Sequence, residues 1–266
     1  MQLKLLPAKT GILWVRQGMR TFFRQPLALA GLFFMFMAAV SVASIVPVVG
    51  SMIALALLPA ATLGLMAATR EAERGQFPMP SILVTAFRAG RQRGRAMLVL
   101  GALYAAGFLV IMGISALVDG GSFAKLYLLG GQITRETVTE GNFQAAMWVA
   151  MLLYLPLALL FWHAPALVHW HGVAPAKSLF FSLVACVRNL RAYLVYGLVW
   201  LGVFLGTGLV VATAATLLGS PQAAGAVMLP MALLLAAMFF SSLWFTFRDT
   251  FGDDAEPADS DFTAQA

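Results

Sequence analysis

The chain has 266 residues, 61% of them hydrophobic and only 11% charged, with a net charge of +6 and a mean hydropathy of +0.87. A soluble domain carries about 25% charged residues, and apolar runs of about 20 residues match the hydrocarbon thickness of a bilayer. This balance excludes an ordinary soluble domain, and with it the host that a nucleic-acid site would need. The single cysteine, Cys186, excludes an internal disulfide framework and any multi-cysteine metal site.

Residues Thr10 to Arg24 read as a basic amphipathic helix. Ile12, Val15, Met19, Phe22 and Phe23 share one face, and Arg16, Gln17, Arg20 and Arg24 the other. Such a helix lies in the membrane interface with its arginines toward the headgroups. The start of the chain has no compact apolar core and no cleavage site, so a removable signal peptide is not expected. Spans one and two run over Pro26–Ile45 and Val48–Thr69, turning at Pro47 and Gly50.

A polar connection, REAERGQFPMP, leads to a second amphipathic segment from Ser81, with Ile82, Leu83, Ala86 and Phe87 on one face. It ends in the basic cluster Arg88, Arg91, Arg93 and Arg95. The third span covers Ala96–Leu117, the longest connection Asp119–Asn142, and the fourth span Ala145–Trp162. A third amphipathic segment carries Leu179, Phe180, Leu183, Val184 and Val187. After the Arg188-Asn189-Leu190-Arg191 break come the fifth span, Tyr193–Leu218, and the sixth, Ala223–Phe247. The acidic residues 249–266 read as a disordered tail.

Landmarks recur three times: a leading amphipathic segment, a basic residue, a span with an early glycine (Gly31, Gly101, Gly197), and a partner span with a Leu-Pro pair (Pro59, Pro156, Pro230). The expected fold is therefore all-α: one six-span membrane domain over 1–248, built as three pseudo-repeated hairpins (about 10–70, 80–165 and 175–248), each behind an interfacial helix. The three prolines would kink helices around a shared centre. Of the 17 lysines and arginines, only Lys125 and Arg135 fall in connections on the far side, leaving 15 on the side of the termini. That bias puts both termini in the cytoplasm.

Candidate sites are few. His163, His169 and His171 are all the histidines of the chain, and they sit in WHAPALVHWH beside tryptophans. Histidine clusters bind transition metals, or haem given a second axial ligand, but no histidine lies elsewhere. An interfacial aromatic belt is the preferred reading. Arg88, Arg91, Arg93 and Arg95, with Arg188 and Arg191, suit anionic lipid headgroups and equally a topology signal. The spans hold no ionisable pair of the kind coupled transporters use. No Gly-x-Ser-x-Gly, P-loop or His-Glu-x-x-His motif occurs, so neither enzyme activity nor a cofactor is expected. Cys186 reads as a small buried hydrophobe.

At FFSLVACVRNLRAYLVYGLVW, preceded by APALVHWHGVAPAKS, the sequence resembles a family of uncharacterised proteobacterial multi-pass inner-membrane proteins. More distantly it is similar to the membrane domain of bacterial glycerophosphodiester phosphodiesterases. The resemblance implies six spans in a bacterial inner membrane and carries over no catalytic residue. Two functions remain: a non-enzymatic assembly or lipid-organising factor that contacts anionic lipids, or a passive transporter or lipid translocator working through the bundle centre. Membrane lipids, a membrane-protein partner or a second copy of the chain are the expected partners; nucleic acid is not.

Overall fold

A computed structural model describes residues 2–46, 49–130, 134–219 and 221–252. Expectations at Pro47 and Val48 and for the tail beyond Gly252 lie outside these residues. Twelve helices follow in order among the described residues: α1 (Thr10–Arg24), α2 (Pro26–Ala43), α3 (Val49–Glu73), α4 (Thr85–Arg88, after a 3₁₀ turn at Pro80–Val84), α5 (Arg91–Asp119), α6 (Ser122–Leu129), α7 (Arg135–Thr139), α8 (Gly141–Phe161), α9 (Ala164–His171), α10 (Pro175–Arg188), α11 (Leu190–Leu217) and α12 (Pro221–Phe251). No strand occurs among them. Six of these helices are long and apolar enough to cross a membrane: α2, α3, α5, α8 (running on into α9), α11 and α12. Many of their large apolar side chains point outward, and Leu27, Leu117 and Leu217 are each more than four-fifths exposed. Lipid solvates such side chains, while others as large, among them Leu63, Met66 and Leu100, are fully buried.

The residues gather into two compact units, Met1–Arg20 with Arg188–Ala266, and Thr21–Val187. In the first unit the beginning of the chain is stitched to its end. Lys4 N–H donates to the Thr250 carbonyl at 2.9 Å. The buried Asn189 amide accepts from Leu6 N–H at 2.8 Å and donates to the Lys4 carbonyl at 3.0 Å. Asn189 stands at the N-cap position of α11, but its side chain makes no capping hydrogen bond and pairs with the Lys4 and Leu6 backbone as a neighbouring strand would.

The first part of α1 lies directly on α11 and α12. A Cβ on Gly11 would strike the Ala192 carbonyl and the Tyr196 backbone, and one on Gly18 would strike Ser242. These glycines are two helical turns apart on one face. Trp14 lies between them, fully buried, with its ring 5.1 Å from that of Tyr193 and its indole N–H donating to Asp249 at 3.0 Å. Arg248 closes the cluster, ion-paired to Asp249 at 2.8 Å and donating to Gln17 at 3.3 Å. Asp249, assigned from the sequence to a disordered tail, thus belongs to α12.

The apolar face expected for α1 is divided. Val15 and Phe22 are buried, whereas Ile12 and Phe23 are exposed. The residues that meet α11 and α12 are Gly11, Trp14 and Gly18, since close backbone approach selects glycine over bulk. The same substitution occurs in α10: Phe180 and Val187 face outward, and Ser178, Ser182, Ala185 and Cys186 face inward.

In the second unit α2 packs on α3, α3 on α5, and α5 on α8. Gly101 of α5 meets the carbonyl of Ala56 in α3, whereas Gly31 has no neighbour within 4 Å. In the first unit α11 packs on α12, and Gly197 likewise has no neighbour within 4 Å. The recurring early glycines therefore do different things. α3, α8 and α12 run through Pro59, Pro156 and Pro230 as continuous helices. Pro59 is buried, and Pro156 and Pro230 are exposed.

Candidate functional site

The arginines stand where the sequence suggested, at helix ends and in the open. Arg88 closes α4, and Arg91, Arg93 and Arg95 occupy the first turns of α5, all exposed. Arg91 and Arg95 are one turn apart on one face and, with Gln92, border a concavity of about 680 Å³. Ile82 and Ala86 anchor the preceding segment by burial, and a Cβ on Gly64 of α3 would touch Leu83 at 2.8 Å. Arg88 thus ends a segment packed on α3, and Arg91, Arg93 and Arg95 begin α5, which also packs on α3. Arg188 and Arg191, at the α10–α11 break, are also exposed.

In the histidine segment residues 164–169 are buried and pack with α5 and α3, while Trp162, Trp170 and His171 are half-buried. Pro165 explains the turn, since it has no N–H to continue the helix from α8. In a regular helix His163 N–H would bond the Leu159 carbonyl. Here the hydroxyl of Ser182 is inserted into that rung, accepting from His163 N–H at 2.9 Å and donating to Leu159 at 2.8 Å. Gly172, with φ +64°, ends α9 in the left-handed region that glycine favours.

Arg70 stacks over the Trp170 ring at 5.6 Å, and both Arg70 and Arg93 lie within electrostatic reach of His169. Two guanidiniums beside this ring oppose a bound metal cation. Among the described residues no three His, Cys, Asp or Glu side chains gather as a metal site. Cys186 is buried near the Leu159 carbonyl.

One feature had no signal in the sequence because its parts are far apart in the chain. Between α3, α5, α6 and α8 lies a half-open cavity of about 290 Å³. Its roof is α6, and the local sequence explains that helix. Gly120 and Gly121 both take positive φ, and the Asp119 carboxylate accepts from Gly121 N–H at 2.9 Å and Phe123 N–H at 2.6 Å, capping α6. Ser51 of α3 donates to the Leu128 carbonyl at 3.1 Å, and the Phe123 ring meets that of Phe143 on α8 at 5.7 Å.

The walls carry Phe108, Met112, Met147 and Met151, and deeper in, the hydroxyls of Tyr104 and Tyr154 lie 3.1 Å apart. Only the spacing of Tyr104 and Phe108, one turn apart on α5, could have pointed here, and neither residue is unusual in a spanning helix.

A Burkholderia thailandensis protein named as a probable inner membrane protein is 40% identical to this chain over 255 residues, covering 95% of the chain and 94% of that protein. The chain belongs to the same family. No family model and no solved structure matches it. With its six candidate spans it is a multi-pass inner-membrane protein. The likeness to the phosphodiesterase membrane domain rests on the sequence landmarks alone.

Proposed function

We propose that this inner-membrane protein is a non-enzymatic lipid-organising factor that gathers anionic headgroups at its cytoplasmic face. The observation carrying this reading is the exposed row Arg88, Arg91, Arg93 and Arg95, set on elements that pack on α3. A guanidinium presents a fork of donors that matches phosphate, and a cluster beside spanning helices attracts anionic lipid. The reading takes the arginine-rich side as cytoplasmic, from the bias of 15 basic residues against two.

It also takes α2–α3, α5–α8 and α11–α12 as three hairpins of one repeated design. The packing of each pair supports this, as do the outward apolar side chains beside arginines on the leading segments: Ile12 and Phe23, Phe87, and Phe180 and Val187.

The test is lipid retention. Protein extracted in nanodiscs of mixed phosphatidylglycerol and phosphatidylethanolamine is analysed by native mass spectrometry. Arg88→Gln/Arg91→Gln/Arg93→Gln/Arg95→Gln is expected to lose most of the bound phosphatidylglycerol while keeping wild-type stability. Equal retention in the two proteins would falsify the reading.

A passive translocator is the second reading, favoured by the cavity under α6. Fluorescent-lipid exchange in proteoliposomes separates the two. The first reading expects no acceleration over empty vesicles, and the second expects acceleration that disappears when the cavity is filled.

A further inference from the structure

We infer that the cavity under α6 binds a hydrophobic molecule with a planar ring and a carbonyl acceptor, of the membrane-quinone class, anchored by the Tyr104–Tyr154 hydroxyl pair. Each phenol has one O–H, and the 3.1 Å contact between the two uses only one of them. Among the described residues the other O–H has no acceptor. Tyr104 is almost fully buried, Tyr154 is 39% exposed, and both line the cavity, so the spare O–H has that largely apolar space within its reach. A donor in such a space calls for an acceptor.

Depth narrows the class. Tyr104 lies 13 residues from Arg91 and 15 from Asp119, the two ends of α5, about 20 Å along the axis from either end. Phospholipid ester carbonyls sit at the headgroup boundary, so an acyl chain would fill this space without satisfying the hydroxyl. A ring carbonyl within the hydrocarbon would satisfy it.

The walls suit a ring. Tyr104 and Phe108 share one face of α5, and the Phe108 ring lies 5.4 Å from that of Tyr127 in the roof, a continuous aromatic surface for stacking. Met112, Met147 and Met151 supply the adaptable remainder. The volume, about 290 Å³, falls at the lower end for small-molecule sites and accommodates a ring whose tail leaves through the open side. The proposal concerns binding only, and it is independent of the arginine reading.

The test uses the whole protein in nanodiscs, titrated with decylubiquinone and followed by native mass spectrometry. Wild type is expected to take one molecule per chain. Tyr104→Phe/Tyr154→Phe keeps both rings and is expected to weaken binding by up to about tenfold, the effect of one lost hydrogen bond. Ala150→Trp, which fills the cavity, should abolish it, and the arginine variant should bind as wild type does. No adduct on wild type overturns the inference, as does equal affinity in the double Tyr→Phe variant or full displacement by phosphatidylglycerol. Should Ala150→Trp fail to fold, the double variant decides alone.

Discussion

The seam of α1 against α11 and α12 and the roof of α6 over α3, α5 and α8 are opposite solutions to packing short helices on long ones. At the seam Gly11 and Gly18 bring backbones into contact, and the polar groups of Trp14, Arg248 and Asp249 find one another. At the roof Phe123 and Tyr127 of α6 line a cavity, and a spare hydroxyl remains beside it. Inside a membrane water does not drive apolar surfaces together, so helices close on one another only where side chains are small enough. Bulk at a contact leaves room, and room beside a polar group invites a ligand.

Three substitutions sharpen the contrast. Gly18→Leu drives a side chain into the Ser242 backbone and is expected to cost about 3 kcal/mol or more, read as a large fall in the thermal unfolding midpoint in detergent. A midpoint at the wild-type value would mean that the seam is loose. Asn189→Ala removes two part-buried hydrogen bonds to the opening segment and leaves the Leu6 N–H and the Lys4 carbonyl without that partner, a loss of about 2 kcal/mol. Its signature is faster amide exchange at Leu6, while exchange in α5 stays unchanged; protection retained at Leu6 would contradict the clamp. Ala150→Leu adds volume toward the cavity and should shift stability by less than about 1 kcal/mol. A penalty equal to that of Gly18→Leu would erase the distinction between the two regions.

The spans were legible because length and hydropathy answer directly to bilayer thickness, and the exposed arginines because charge at the end of an apolar run has few alternatives. The face of α1 was only half legible. An apolar count selects Ile12 and Phe23, which point outward, and overlooks Gly11 and Gly18, whose value is the absence of a side chain. The burial of α9 was hidden because tryptophan and histidine suit an interface as well as a core. Ser182, which repairs the break before α9, lies 19 residues from the N–H it accepts. Tyr104 and Tyr154 are 50 residues apart, and no local pattern joins them.

The Asn189 clamp has a consequence for how the protein is made. Its partners, Lys4 and Leu6, leave the ribosome more than 180 residues before it does, an interval of roughly 10–40 s at 5–20 residues per second. Throughout that time the opening segment and the glycine face of α1 have no surface on which to close. Residues synthesised early are thus among the last to fold, and a chain that stalls before Asn189 carries an open seam by which quality control can recognise it.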